Sequence, residues 1–358
     1  MTLIAGYIYG GTVNLVADSA QLSLSEISPR LRQNLPQTNT LGERSPVETD
    51  EGWIEEGAQK LYVIANQVIL TFAGDVREGY NVLEDLSIRL ASTGCVGLSE
   101  VLESFFHECK PMKAEFLIGF IEQGHPRLYC CSKKQIKLLS ENLHGVSGGA
   151  GSQLWFIPPI FSRLLELWNA KASPDTVLVV MTSLLQTCTL NDRTFERGVG
   201  GFFNGVQVSP DGVKWCPDTE IVLYSSKHFE KIPRIIIDKF NRDGVTALIT
   251  SAAGNRLFSP STRLSQISIE TFLNKWGKAL LTKRFDEERG YFSFICHDRR
   301  IVNIVVAGTT QFDQCLEIKI SDPSSVEYTP HFIDHLLRFP IHPVTGQEDR
   351  FGIMLNLF

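Results

Sequence analysis

The stretch that decides the fold is Thr2–Asp18, with the sequence TLIAGYIYGGTVNLVAD. Its first half, Thr2–Tyr9, is apolar and rich in residues that favour strands, and the pair Gly10-Gly11 follows as a turn signal. Thr12–Asp18 then repeats the strand pattern. The stretch therefore predicts a β-hairpin that begins immediately after Met1.

Thr2 is the candidate nucleophile at the start of this hairpin. Met1 precedes a small residue, so we expect a methionine aminopeptidase to remove Met1. Thr2 would then carry a hydroxyl group and an unblocked α-amine, whose reference pKa of about 7.7–8.0 lets it accept a proton near neutral pH. A nucleophile and its general base on one residue form a recognised arrangement for covalent catalysis.

Length, charge and cysteine content limit the class of protein. The chain has 358 residues, enough for two domains, and its apolar fraction of 43% is ordinary for a soluble globular protein. A net charge of −6 argues against general nucleic-acid binding. Eight dispersed cysteines without a CxxC pair indicate reduced thiols, and no signal peptide or apolar stretch of membrane-spanning length is evident. We therefore expect a cytoplasmic protein without a membrane or nucleic-acid partner.

The chain up to residue 225 alternates between strand-like and helix-like segments. Residues 19–57 are polar and have no sustained period, so they predict a long loop, and residues 60–73 predict a second hairpin. Further strands are predicted at 115–121, 128–132, 199–208 and 212–215, helices at 76–91, 97–109 and 174–190, and a glycine-rich turn at 145–152. This order suits two sheets packed face to face with helices on both outer sides.

Residues from 226 onward read as a separate region. Arg234–Phe240 and Ile267–Phe285 have helical spacing. Tyr291–His297 and Ile301–Gly308 predict a hairpin. No role follows from the sequence of this region.

Together with Thr2, three residues further along the chain form a pattern that is typical of a catalytic site. Asp18 ends the second strand, Lys60 opens the third, and Gly74 lies fourteen positions after Lys60. In this order and spacing the four residues resemble the proteasome β-subunit family of N-terminal-nucleophile hydrolases, once residues 19–57 are treated as an insertion.

Two later motifs extend the resemblance to roughly residues 2–225. Gly149–Ser152 (GAGS) is similar to the glycine-serine turn of the family, and Glu196–Gly201 (ERGVGG) is similar to its Asp-x-x-Ser-Gly-Gly motif. The resemblance implies an α+β fold, a four-layer αββα sandwich over 2–225, with 226–358 as a C-terminal α+β extension.

The resemblance also implies an activity and partners. It implies a threonine peptidase that cleaves amide bonds through an acyl ester and needs no metal or organic cofactor. The partners it implies are a peptide or protein substrate, further copies of the chain in a homo-oligomeric ring, and an ATP-driven unfoldase of the kind that often serves such rings.

The candidate catalytic residues have roles that follow from their chemistry. Lys60 beside the Thr2 hydroxyl would stabilise the developing alkoxide, and Asp18 would keep Lys60 charged and oriented. The backbone N–H of Gly74 would hold the oxyanion, a contact worth about 10²–10³ in kcat. In the family a peptide adds as a strand beside the segment after the Asp, which implies Ala20, Gln21 and Leu22 as substrate-binding residues here.

Some residues depart from the pattern of the family. Glu196 fits the acid that supports the N-terminal amine, but Val199 stands where a serine is usual. Ala150 also falls at a common serine position, and Ser147 or Ser152 could substitute if the turn is aligned differently. The Thr-Asp-Lys set is intact, whereas the groups that orient the amine differ.

Each residue also has an ordinary structural interpretation. Asp18 alone could be a turn residue, Lys60 alone a solvated surface lysine, and Glu196 a surface carboxylate. His331 and His335 are more consistent with a solvated helix than with a metal site, because no third ligand stands at clear spacing. Two other functions stay open: an amidase or acylase acting on a small amide, and a catalytically decayed scaffold subunit.

Overall fold

The computed structural model describes residues 2–23, 38–57, 59–93, 97–109, 113–132, 136–225, 235–242, 245–252, 255–260, 274–275, 290–296, 298–307, 316–318, 326–337 and 354–357. The strands before the long central helices are β1 (Ile4–Tyr9), β2 (Thr12–Asp18), β3 (Ala20–Ser23), β4 (Val47–Thr49), β5 (Gly52–Glu56), β6 (Leu61–Ile64), β7 (Val68–Gly74), β8 (Ala114–Glu122), β9 (His125–Cys131), β10 (Ile136–Leu139) and β11 (Gly145–Gly148).

The strands that follow are β12 (Phe203–Ser209), β13 (Gly212–Trp215), β14 (Thr219–Tyr224), β15 (Ile235–Arg242), β16 (Val245–Ala252), β17 (Asn255–Pro260), β18 (Tyr291–Cys296), β19 (Ile301–Val306), β20 (Leu316–Ile318), β21 (Val326–Tyr328) and β22 (Met354–Leu357). The helices are α1 (Val76–Thr93), α2 (Leu98–Glu108), α3 (Ile157–Asn169), α4 (Pro174–Asn191) and α5 (Pro330–Leu337), and short 3-10 helices span Ala150–Gln153 and Thr194–Arg197.

Two five-stranded sheets pack against each other and carry the start of the chain at their centre. One has the strand order β11-β1-β2-β12-β13 and the other β10-β9-β8-β7-β6. The hairpin predicted at Thr2–Asp18 is confirmed, because β1 pairs antiparallel with β2 from Ile4 opposite Ala17 to Tyr9 opposite Thr12. Side chains of both sheets interdigitate in one apolar cluster that includes Ile4, Leu15 and Leu117, so the end of β2 is held rigidly.

Helices α1 and α2 cover the outer face of the sheet that contains β7 and β8. Their apolar residues recur at helical spacing, as the sequence predicted, and Leu86, Leu90 and Leu102 are buried against Phe72 and Phe116. Their packing fixes β7 and with it the start of α1 beside Gly74.

The third large sheet has seven strands in the order β17-β16-β15-β14-β18-β19-β22. It is mixed, because β14 pairs parallel with β18 and β19 parallel with β22. β14 lies on the N-terminal side of the domain boundary predicted at residue 225, and it sits in the middle of this sheet. The division into 2–225 and 226–358 stays a prediction.

The expected four-layer αββα sandwich is wrong for this chain. The described residues form mainly antiparallel sheets, and α4 lies between two of them, touching β2 and β12 on one side and β18 and β19 on the other. Every residue from Val177 to Thr189 is buried, and a helix that is buried all round cannot form an outer layer. The seven-stranded sheet covers the face of α4 that the sandwich would have left exposed to solvent.

Two local predictions are also wrong. Residues 19–57, predicted as a loop, contain the strands of a small sheet with the order β3-β5-β4. Arg234–Phe240, predicted as helical, lies in a region where β15 runs from Ile235 to Arg242 and pairs with both β14 and β16. The helical spacing noted at Ile267–Phe285 falls almost wholly outside the described residues.

Among the described residues, no helix combines the length and apolar character that crossing a membrane requires.

Candidate active site

Thr2 lies just before β1 and is almost buried, with 8% of its surface exposed. The turn that precedes α3 packs directly on it, because the backbone N–H of Gly151 donates to the Thr2 carbonyl at 3.0 Å. Gly149 lies so close that a Cβ atom there would come within 2.3 Å of the same carbonyl oxygen, and its φ of 77° also favours glycine. The glycine-rich turn therefore holds the backbone of Thr2 in place.

Asp18 and Lys60 form the buried ion pair that the sequence predicted. Lys60 Nζ lies 2.5 Å from Asp18 Oδ1, and it also donates to the carbonyl of Ala20. The second oxygen of Asp18 accepts from the backbone N–H of Gly200 at 2.8 Å. Asp18 is thus fixed from both sides, and its carboxylate orients the lysine.

Burial has the largest effect on the pKa values of both residues of this pair. It lowers the pKa of the Lys60 amine, and the Asp18 carboxylate opposes that effect without cancelling it. Burial likewise raises the pKa of Asp18 against the opposing effects of Lys60 and the Gly200 N–H. Asp18 therefore shifts the pKa of Lys60 in the direction that its predicted role requires, whereas burial shifts that pKa further in the opposite direction.

Gly74 ends β7 and meets the geometric requirement of a close backbone approach. Its φ is 110°, in the region that favours glycine. A Cβ atom there would lie 2.6 Å from the carbonyl oxygen of Lys113 and 3.1 Å from the Cα atom of Ala114. Only glycine fits this end of the strand without a backbone shift.

A cavity of about 390 Å³ brings the predicted residues together. Thr2, Lys60 and Gly74 line it, and so do Ala20, Gln21 and Leu22, the residues predicted to bind substrate. Its size is within the usual range of ligand pockets, about 300–1,000 Å³. Six residues that are separated in the sequence by up to 72 positions therefore share one space.

The β3 strand borders this cavity as the edge strand of its small sheet. Among the described strands it pairs with β5, from Ala20 opposite Glu56 to Ser23 opposite Trp53, and the N–H of Ala20 donates to the carbonyl of Gly200. Glu56 anchors the returning chain, because it accepts bonds from Ser19 Oγ and from the N–H and hydroxyl of Thr40. An edge strand next to a cavity is a template for an extended peptide.

Sequence reasoning missed an aromatic wall of the cavity. Tyr62 stacks on Phe72 with ring centroids 5.7 Å apart, and Tyr80 packs edge-on against both rings. All three line the cavity. The sequence could have identified these three residues, because Tyr62 and Phe72 belong to the β6–β7 hairpin and Tyr80 lies one turn into the helix after Gly74.

Three predicted site residues lie elsewhere. Glu196 is exposed in a short 3-10 helix, and its charge helps to raise the pKa of the neighbouring Glu43. Ser147 pairs with Ala5 in the β1–β11 ladder, and Ser152 lies in the 3-10 helix before α3; neither lines the cavity. The position of Glu196 favours a surface role.

Val199 is buried next to the turn that holds Thr2. It is 4% exposed, and its Cγ1 atom would lie 3.0 Å from a Cβ atom placed on Gly151. An apolar side chain therefore occupies the place where the family has a hydroxyl, and the surroundings of the Thr2 backbone are less polar than the resemblance implied.

No protein-family model and no curated protein matches this chain. Within the part of the chain that the structure describes, no cluster of three or more His, Cys, Asp or Glu side chains is placed to hold a metal ion.

Proposed function

We propose that this protein is an N-terminal threonine hydrolase that cleaves amide bonds in peptides. The observation that carries the proposal is the cavity in which Thr2, Lys60 and Gly74 meet, with Asp18 bonded to Lys60. A nucleophile, a charged or proton-accepting amine and a glycine N–H in one space are the parts that acyl transfer requires.

The reaction begins with attack of the Thr2 hydroxyl oxygen on the substrate carbonyl carbon. The α-amine of Thr2, exposed when Met1 is removed, takes the hydroxyl proton and later donates it to the leaving amine. An ester between Thr2 and the acyl part of the substrate results. Water then attacks this ester, releases the carboxylic acid and restores the hydroxyl group.

Lys60 and Gly74 stabilise the charges that develop during the reaction. The Lys60 ammonium would stabilise the alkoxide of Thr2. Because the pKa of Lys60 is lowered, its amine also transfers a proton more easily than that of a solvated lysine. The Gly74 N–H would donate to the carbonyl oxygen as that oxygen becomes negative.

The walls of the cavity favour a peptide with a large apolar side chain. Beyond Ala20, whose N–H and carbonyl are bonded to Gly200 and Lys60, the edge of β3 offers backbone groups to an extended chain. Tyr62, Phe72 and Tyr80 form an apolar wall beside it. A small amide would use neither feature, so we place the amidase alternative second.

Self-association into a ring, service by an ATP-driven unfoldase and a cytosolic location belong to the same proposal. Each rests on the sequence resemblance, and the cytosolic location also on the dispersed cysteines.

The decisive experiment is the intact mass of the purified protein before and after reaction with a peptide electrophile that needs both groups of an N-terminal threonine. We expect a protein that lacks Met1 and gains one adduct. Thr2→Ala should abolish adduct formation and peptide hydrolysis, whereas Thr2→Ser, which keeps the hydroxyl, should retain part of both. Retention of Met1 in active protein, or hydrolysis by Thr2→Ala, would contradict the mechanism.

The buried Val199 gives the scaffold alternative one specific support, because it removes a hydroxyl from the surroundings of Thr2. A protein that lacks Met1, folds cooperatively and forms no adduct would favour that alternative.

A further inference from the structure

A second, smaller cavity touches the Asp18–Lys60 pair. Its volume is about 20 Å³, and its polar lining includes Asp18, Ser19, Lys60, Asn204 and Thr246. A cavity needs about 10–15 Å³ to hold a water molecule, which must also find two to four polar partners. This cavity is large enough for one water molecule and has polar side chains in its lining, and Lys60 lines it as well as the larger one.

Thr246 belongs to the seven-stranded sheet, far along the chain from the proposed active site. It lies on β16 and is 4% exposed. The Asn204 side-chain amide donates to the Thr246 hydroxyl at 2.6 Å and to Asn241 Oδ1 at 3.0 Å, and the Thr246 hydroxyl donates to the same Asn241 oxygen at 2.8 Å. The three side chains form a closed polar network.

This network holds β12, the strand that pairs with the end of β2 at Asp18. Asn204 pairs with Ala17, and its neighbour Phe203 pairs with Asp18 in the β2–β12 ladder. Asn241 is itself anchored, because its amide donates to the carbonyl of Cys216 at 2.7 Å. The C-terminal sheet therefore holds β12 at the point where β12 pairs with the backbone of Asp18.

We propose that Thr246 and Asn241 are positioning residues of the active site, which act through Asn204 and through one water molecule held beside the Asp18–Lys60 pair. This inference rests on the proposed function, and it assigns a role to the C-terminal region. The water would be one more polar neighbour for a pair of charges that burial otherwise destabilises.

Among the described residues, Asp18 faces Lys60 directly, and Asp75 and Arg77 line the larger cavity that Lys60 shares. The α-amine of Thr2 joins them in that cavity once Met1 is removed. Thr246 carries no charge, so it affects Lys60 only through hydrogen bonding and hydration.

The test uses the full-length protein with Thr246→Val, which keeps the shape of the side chain and removes the hydroxyl. Thr246→Ser keeps the hydroxyl, and Thr250→Val is the matched control, because Thr250 lies four residues along the same strand and does not line the small cavity. Loss of one hydrogen bond should lower kcat about threefold to tenfold in Thr246→Val, with little change in KM. Thr246→Ser and Thr250→Val should stay near the wild type.

Two further readouts separate positioning from general destabilisation. The apparent pKa that Lys60 contributes to the pH–rate profile should shift in Thr246→Val but not in Thr250→Val. The pKa of Lys60, followed by NMR of selectively labelled lysine, should fall further in Thr246→Val, because the amine loses a polar neighbour. Thermal unfolding shows whether the variants are folded.

The outcomes for this inference and for the proposed function are distinct. If Thr2→Ala keeps hydrolytic activity, the proposed function fails, and the Lys60 pKa alone decides whether Thr246 positions the pair. If Thr2→Ala is inactive but Thr246→Val matches Thr250→Val in kcat, pH profile and Lys60 pKa, the positioning role is overturned.

Discussion

Lys60 combines two properties that a solvated lysine lacks. Its amine is held by Asp18 and by the carbonyl of Ala20, so its direction is fixed, and burial lowers its pKa. A fixed amine with a lowered pKa can both stabilise an alkoxide and take part in proton transfer. These are properties of position and not of residue type.

The first prediction concerns the pair as a unit. Lys60→Met leaves the buried Asp18 carboxylate without its partner, so we expect a loss of about 3–5 kcal/mol in the free energy of unfolding and of about 10²–10⁴ in kcat. Asp18→Asn with Lys60→Met removes both charges. The double variant should recover much of the stability and none of the activity, as measured by denaturant unfolding and peptide hydrolysis. Recovered activity would show that Lys60 is not catalytic.

The second prediction concerns Gly74. Gly74→Ala forces a shift against the carbonyl of Lys113 and strains a φ of 110°, so the N–H should move away from the oxyanion and kcat should fall about 10²–10³-fold. Gly124→Ala is the control, because Gly124 also has a positive φ, of 79°, but a Cβ atom there would meet no atom within 4 Å. Equal effects of the two substitutions on kcat would leave Gly74 with only a conformational role.

At the scale of elements, the segment 19–57 begins and ends beside the candidate active site. β3 lines the cavity, and β5 returns the chain through Glu56, which bonds Ser19 and Thr40. Glu43 lies near Glu56 and Glu196, and burial together with these two charges raises its pKa to about 7. The segment therefore carries a titratable group close to neutral pH.

The third prediction follows from that group. The folded-state pKa of Glu43 lies above its ordinary value of 4.5, so its contribution to stability is fully present at low pH and is lost as the pH rises through about 7. Glu43→Gln cannot ionise, so at pH 8 it should be more stable than the wild type by about 1–3 kcal/mol, with little difference at pH 4, below the unfolded pKa. Denaturant unfolding at both pH values measures this difference. Glu48→Gln, at an exposed position of β4, is the control and should follow the wild type at both.

At the scale of the whole molecule, α4 is the shared core of two sheets. Thr176 and Ser183 bond across to Tyr291 and Ser293 of β18, and Asn191 donates to the carbonyl of Arg299. One apolar cluster runs from Tyr7 in the first sheet through Leu184 of α4 to Ile295 in the third. The seven-stranded sheet therefore buries one side of α4 and also supports β12.

The fourth prediction tests this cover. A chain that ends at Ser225 would expose the side of α4 that now faces β18 and β19, so it should not fold as a stable monomer. We expect loss of a cooperative thermal transition, binding of a dye that detects apolar surface, and aggregation. A truncated chain that unfolds cooperatively like the full-length protein would contradict the packing described here.

The amino-acid sequence alone determined several local elements and the order of the candidate catalytic residues. The β1–β2 hairpin, α1, α2 and the β18–β19 hairpin follow from patterns between near neighbours, which propensity and turn residues specify. The contact of Asp18 with Lys60 and the shared cavity of Thr2, Lys60 and Gly74 were also expected, because the sequence resembles a family with these spacings.

Only the tertiary structure decided what covers α4, how the segment 19–57 folds and how firmly Lys60 holds its proton. The isoleucines and phenylalanine of 235–240 fit a helical period as well as a strand, and pairing with β14 and β16 selects the strand. β3 has only four residues, too few for its alternation to stand out in the sequence, and its pairing with β5 and the apolar cluster of Ala20, Ile54 and Phe195 hold it in place. The pKa of Lys60 depends on burial, which residues distant in the chain create together and no local pattern encodes.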